Sequence, residues 1–170
     1  MKPEETFTTA LVFEKKIRDL YVSAVDTIDH KQGKAFFKKL AGDEQSHVDF
    51  LEYGLEQLKN NEGVDINRLT SPIPPVDQLD KTIETMKTRI PEKMLGDIKR
   101  VLNSALKLEL ETSAFYKKAL DNTGEGPIRD ILEKFYTIEE NHVHAVQVEL
   151  DFSSKSGHWF DFMETDMEHG

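Results

Sequence analysis

The sequence predicts an all-α protein, a four-helix bundle with one long crossover between the second and third helices, and three observations carry that prediction. Apolar residues recur at helical spacing in four long segments, and no run shows the alternation of a strand. Turn signals separate the segments, closely within each pair and by a longer stretch between the pairs. Sliding the chain by 95 residues, the interval from Glu14 to Glu109, lays one half of it on the other. A length of 170 residues suits about one domain with a sizeable core.

The first helix is expected from about Glu5 to Asp29, with Phe7, Ala10, Leu11, Glu14, Ile17, Tyr21, Ala24, Val25 and Ile28 in one stripe. After the turn His30-Lys31-Gln32-Gly33, the second runs from about Lys34 to Asn60. Its face carries Phe37, Leu40, Ala41, Glu44, His47, Val48, Leu51, Leu55 and Leu58. Asn60-Asn61-Glu62-Gly63 reads as its stop, because Asn and Gly tolerate the left-handed conformation that ends a helix. Residues 64–91 form the crossover: Ser71-Pro72-Ile73-Pro74-Pro75 cannot be helix interior, while Val76, Leu79, Ile83 and Met86 suggest a short amphipathic helix. The third helix is expected from about Glu92 to Asp121, with Ile98, Val101, Leu102, Ala105, Glu109, Thr112, Tyr116 and Ala119 inward. Thr123-Gly124-Glu125-Gly126 breaks the chain, and Pro127 fits a first helical position. The fourth helix follows with Ile128, Ile131, Leu132, Phe135, Glu139, His142, Val143, Val146 and Leu150. Short turns make each pair an antiparallel hairpin, and the long crossover leaves helices two and three parallel. Residues 1–150 are thus read as the bundle and 151–170 as an acidic, aromatic tail. Its Trp159, Phe160, Phe162 and Met163 are expected to dock on the bundle or on a partner chain.

Composition narrows the function. With 22 Lys+Arg against 32 Asp+Glu, the net charge of −10 and the lack of a basic run argue against nucleic-acid and anionic-membrane partners. There is no cysteine, which removes disulfides, thiolate zinc sites and iron–sulfur clusters, so any metal must sit on oxygen and nitrogen. No apolar run spans a membrane, and Met1-Lys2-Pro3-Glu4-Glu5 does not read as a secretory signal, so a soluble cytoplasmic protein is expected.

The repeat is densest at polar positions. It superposes Glu14 on Glu109, Tyr21 on Tyr116, Glu44 on Glu139 and His47 on His142. Glu44-x-x-His47 and Glu139-x-x-His142 each place a carboxylate and an imidazole on one helical face, and a lone Glu from each remaining helix completes a ring of four carboxylates and two imidazoles. Such a ring can hold two divalent ions, whose +4 balances four carboxylates that would be costly to bury alone. Chance predicts roughly 0.6 Glu-x-x-His pairs for 18 Glu and 6 His in this length. Two occur, both in mid-stripe and at equal spacing from the lone Glu. Tyr21 and Tyr116 each lie two turns beyond a ring Glu, so their hydroxyls could hydrogen-bond ring carboxylates and orient them. Glu111 and Glu140 fall off the inward face, His144 faces elsewhere, and His30, His158 and His169 lie in turns or the tail.

From about Thr8 to Leu150 these residues resemble the rubrerythrin branch of the ferritin-like superfamily. The resemblance rests on the Ala10-Leu11-x-x-Glu14 run ending in Tyr21, on Leu40-Ala41-x-x-Glu44-x-x-His47, on Glu109 to Phe115-Tyr116, and on Glu139-Glu140-Asn141-His142. The closing Gly157-His158-Trp159-Phe160-Asp161 resembles tails of stand-alone rubrerythrin-like proteins. The resemblance implies a ferritin-like bundle holding two iron ions per chain, with manganese or zinc able to substitute. Glu44 and Glu139 would bridge the ions, Glu14 and Glu109 would be terminal ligands, and His47 and His142 would each bind one ion. It also implies a homodimer and reduction of peroxide or dioxygen, as in oxidative-stress defence. Two departures stand out. Rubrerythrins carry a further Glu one turn after the third-helix ligand, where this chain has Thr112, with Ile17 at the equivalent place in the first half. They also usually carry a cysteine-bound rubredoxin domain that delivers electrons, which these residues cannot build, so an external reductant is expected.

Two other readings share the bundle: an iron-storage protein, and a structural module without turnover. Storage predicts uptake far beyond two irons per chain. The structural module predicts stability indifferent to chelators.

Overall fold

Four amphipathic helices form in the computed structural model, which describes residues 1–75 and 87–160: α1 (Pro3–Thr27), α2 (Lys31–Lys59), α3 (Glu92–Asp121) and α4 (Pro127–Ser156). Pro3 and Pro127 open α1 and α4, where a missing N–H costs nothing and φ is already helical. The helix α2 begins at Lys31, earlier than the periodicity suggests, because Nδ1 of His30 accepts the Gly33 N–H at 3.1 Å and caps the first turn. It ends where expected, with Asn61 in the left-handed region at φ 56°.

The largest departure in helix length is at α4, which continues through residues 151–156 that the sequence assigns to the tail. Gln147 bonds Asp151 at 2.9 Å and Ser153 is buried, so the last turns have partners of their own. Gly157, at φ +67°, then ends the helix in a conformation that favours glycine.

The hydrogen bonds in the middle of the bundle fix its topology. The Tyr21 hydroxyl reaches Glu109, and the Tyr116 hydroxyl reaches Glu14. Each tyrosine follows its own helix's Glu by seven residues, so this crossed pairing requires α1 and α3 to run antiparallel. The short connection at residues 28–30 folds α2 back along α1, and α2 and α3 are therefore parallel, which the long crossover permits. This is the one-crossover four-helix bundle that the sequence predicts.

The apolar core is divided in two. One cluster includes Ile17, Tyr21, Phe36, Phe37, Leu40, Ile98, Leu102, Ala105 and Ala145; the other includes Phe7, Leu11, Val48, Leu51, Tyr116, Leu132, Phe135 and Ile138. Along every helix the division falls at the same level: between Leu11 and Ile17, Leu40 and Val48, Ala105 and Tyr116, Ile138 and Ala145. The Glu and His residues of the repeat occupy that level.

A short antiparallel ribbon, which the sequence reading did not expect, joins the end of the crossover to the C-terminal segment. Its strands are β1 (Lys87–Arg89) and β2 (His158–Phe160), with Lys87 opposite Phe160 and Arg89 opposite His158. The ribbon seats Trp159 against Phe36 and Phe37 at ring separations of 5.3 and 5.9 Å, and the indole is 1% exposed. The expected docking of tail aromatics on the bundle therefore holds at Trp159. Phe162 and Met163 of the tail, and the expected short helix carrying Val76, Leu79, Ile83 and Met86, lie outside the described residues. No helix among the described residues is long and apolar enough to cross a membrane.

Candidate metal centre

All six Glu and His side chains of the repeat meet at the level between the two apolar clusters. Glu14 comes from α1, Glu44 and His47 from α2, Glu109 from α3, and Glu139 and His142 from α4, and each is 0% exposed. Their donor atoms form two groups, Glu14, Glu44, His47 and Glu139 on one side and Glu44, Glu109, Glu139 and His142 on the other. Within each group the atoms lie within 4.8 Å of one another. Glu44 and Glu139 belong to both groups. The imidazole rings of His47 and His142 are near-parallel, with centroids 5.8 Å apart.

Most of these donors lack a hydrogen-bond partner. Glu14 Oε2, both oxygens of Glu44 and of Glu139, Glu109 Oε2, and Nδ1 of both histidines are buried without one. Nδ1 of His142 is 2.9 Å from Glu44 Oε1 and 3.5 Å from Glu109 Oε1, and Nδ1 of His47 is 3.7 Å from Glu44 Oε2, all without hydrogen-bond alignment. A bundle core does not leave so many polar atoms bare without a reason, since each costs about 1–3 kcal/mol. Oxygen and imidazole nitrogen converging on two adjacent points is the donor set of a pair of transition-metal ions. The residues present fit such a pair.

The electrostatics of the metal-free ring point the same way. Burial pushes the carboxyls of Glu14 and Glu139 well above the ordinary carboxylate range, with the charge of Glu44 adding at Glu14 and those of Glu14, Glu109 and Glu44 at Glu139. Burial and Glu109 raise Glu44 as well. Burial also acts to raise Glu109, but the neighbouring His142 and the Tyr21 hydroxyl outweigh it and hold this carboxyl below its ordinary value. His142 is the converse: burial disfavours its charge, yet Glu109 and the bond to Asp43 hold its proton well above the ordinary imidazole range. Without metal, the ring therefore carries protons that divalent ions would displace.

Tyr21 and Tyr116 lie where the repeat places them, each donating at 2.8 Å to the Glu of the opposite hairpin, Tyr21 to Glu109 Oε1 and Tyr116 to Glu14 Oε1. Burial first, then the facing carboxylate, raises both phenols well above their ordinary value, so they remain protonated donors. Tyr116 stacks on Phe135 with ring centroids 4.8 Å apart, and Phe135 packs edge-on against His47. Thr112 is buried, but its hydroxyl bonds the Leu108 carbonyl at 2.8 Å and brings no charge to the ring. Glu111 and Glu140 are exposed, as the helical faces require.

The six residues lie within a stretch, residues 5–149, that matches the rubrerythrin family. The chain belongs to the rubrerythrin family. No curated protein and no solved structure matches it.

One buried residue of this rubrerythrin-family site escapes the sequence reading. Asp43, 3% exposed, presents Oδ2 to Nε2 of His142 at 2.7 Å and Oδ1 to Nε2 of His47 at 3.4 Å. Burial would raise its carboxyl, but the bond with His142, the charge of His47 and the Ser71 hydroxyl hold it below its ordinary value. Its signal in the sequence is its position four residues before His47, on the same helical face. The repeat conceals it, because the matching position in the second half is Ile138.

Proposed function

We propose that this rubrerythrin-family chain binds two iron ions between the four carboxylates and two histidines and uses them to reduce peroxide or dioxygen with electrons from an external donor. The observation that carries this reading is the pair of donor groups sharing Glu44 and Glu139. That sharing supports Glu44 and Glu139 as bridging ligands, Glu14 and Glu109 as terminal ligands, and one histidine per ion. Two bound ferrous ions would supply two electrons to the oxidant.

The protein's own part is to hold, orient and exclude. Carboxylates suit the task because each can shift between bridging and chelating modes. Tyr21 and Tyr116 fix one oxygen of Glu109 and one of Glu14, leaving the second oxygen of each toward the ring. The aromatic and aliphatic layers above and below, from Tyr21 and Phe37 on one side to Tyr116 and Phe135 on the other, keep bulk water out. Thr112 offers no further carboxylate, so ligand exchange through that position is closed to this chain. These 170 residues contain no cysteine to hold a thiolate-bound iron, so no such centre within them supplies the electrons.

Anaerobic titration of the metal-free protein with Fe(II), followed by hydrogen peroxide under optical observation, tests the reading. Saturation at two irons per chain, with consumption of peroxide that resumes on each addition of reductant, is expected. Saturation at zero or one iron would overturn the paired site, and continued uptake on aerobic cycling would identify storage instead.

A further inference from the structure

The crossover passes directly over the histidine side of the ring. Leu69 is fully buried in one apolar cluster and Ile73, 4% exposed, in the other, so the chain between them spans the polar level from one half of the core to the other. Thr70 and Ser71 lie in that span. The Thr70 carbonyl is 3.3 Å from Nε2 of His47. The Ser71 hydroxyl donates to Asp43 Oδ2 at 2.6 Å, and the same oxygen faces Nε2 of His142 at 2.7 Å. The strap thus touches one histidine directly and the other through a single carboxylate. A second bond, from the Ile73 N–H to Ser71 Oγ at 3.3 Å, orients the serine.

A neutral histidine whose Nε2–H is held by an acceptor presents its Nδ1 lone pair to a metal ion, and in this ring both Nδ1 atoms are buried, face carboxylate oxygens and have no hydrogen-bond partner. Outer partners of this kind set the tautomer and aim of a metal-binding imidazole. The two histidines are not served alike. His47 has both the Thr70 carbonyl and Asp43 Oδ1 within reach, whereas Asp43 is the acceptor that the geometry gives to Nε2 of His142.

We propose that Asp43 is a positioning residue for both histidines and that the Thr70-Ser71 strap holds it, so that seating of the crossover and binding of the paired ions are coupled. The inference rests on the paired-ion reading given above. Coupling of this kind is reciprocal: metal tightens the strap by the factor by which the seated strap tightens metal.

Co(II), which reports its coordination by visible absorption, is the probe, titrated into the metal-free full-length protein. Wild type is expected to bind two ions. Ser71→Ala and Asp43→Asn are each expected to weaken one of them roughly 10- to 100-fold, with an altered Co(II) spectrum, while the helical circular dichroism is retained. Ser71→Thr, which keeps the hydroxyl, should restore both affinity and spectrum. Hydrogen exchange at the Ile73 amide should slow on Co(II) loading in wild type and respond less in Ser71→Ala. Removing one half-buried hydroxyl does not endanger the fold, so Ser71→Ala carries the test even where Asp43→Asn fails to fold. Wild-type midpoints and spectra in the folded variants, or an Ile73 amide indifferent to metal, would overturn the coupling and leave the paired site standing. Failure of wild type to bind two ions would instead remove the reading beneath it.

Discussion

At the scale of single residues, the ring makes unequal demands on side chains that the repeat treats as equals. Tyr21 and Tyr116 make matching hydrogen bonds, but Tyr21 donates to a Glu109 held in its charged form and Tyr116 to a Glu14 whose carboxyl is pushed toward its neutral form. A bond to a charged acceptor contributes about 1.5–3 kcal/mol and one to a neutral acceptor about 1 kcal/mol. In the metal-free protein at neutral pH, Tyr21→Phe should therefore cost more stability than Tyr116→Phe, measured by urea unfolding; equal losses would show that both acceptors carry the same charge. The shared carboxylates give the second prediction at this scale. Glu44→Ala or Glu139→Ala removes a member of both donor groups, so either should abolish binding of the second ion while leaving the helical circular dichroism intact. Glu111→Ala, on the exposed face of α3, should leave binding unchanged in the same titration. Two full-affinity ions in either ring variant would overturn the ligand assignment.

At the scale of elements, what could be read in advance was whatever repeats along a helix, and what was hidden depended on contacts between distant segments. The inward stripes of α1 and α3 emerge almost residue for residue, because a 3.6-residue period is a property of the local sequence. The early start of α2 depends on the His30 ring turning back onto Gly33, which a periodicity does not encode. The ribbon of β1 and β2 was invisible for the same reason: three-residue strands have no period, and theirs exist because residues 87–89 meet residues 158–160. Asp43 shows the opposite limit. It stood in plain view beside Glu44, but reading by symmetry discards any residue lacking a counterpart, and its counterpart is Ile138. The ribbon carries a prediction of its own. Trp159→Ala empties an indole-sized space against Phe36 and Phe37 and should destabilise the protein by about 3–5 kcal/mol, as large-to-small core changes do. Since Trp159 lies in the apolar cluster beyond the ring, the stoichiometry of metal binding should stay at two below the unfolding transition. A loss of stability under 1 kcal/mol in thermal or urea unfolding would show that the C-terminal segment adds little to the core.

On the scale of the whole molecule, the bundle stores protons on the same groups that could hold metal, and the two occupants should give opposite dependences on pH. In the metal-free protein the carboxyls of Glu14 and Glu139 lie above the ordinary value of 4.5 and the His142 imidazole above 6.5. Folding therefore raises their affinity for protons. Their contribution to stability is complete below those ordinary values and is lost as pH rises through the raised ones. Glu109 and Asp43 are shifted downward, so their contribution is present above the ordinary carboxylate range and is lost only in stronger acid. Metal-free protein should thus unfold at progressively lower temperature as pH rises from mildly acidic toward neutral. Divalent ions compete with the same protons, so their affinity, and the stabilisation they add through it, should grow over that interval. The net charge of −10 also shifts stability with pH, but it acts on both forms and largely cancels in their difference. The quantity to measure is the difference in Tm between Co(II)-loaded and chelator-treated protein, taken at several values from pH 5 to 8. It should widen steadily with pH. A difference that is constant would mean that binding displaces no protons from the ring, and a difference of zero throughout would reduce the ring to a structural feature of the bundle.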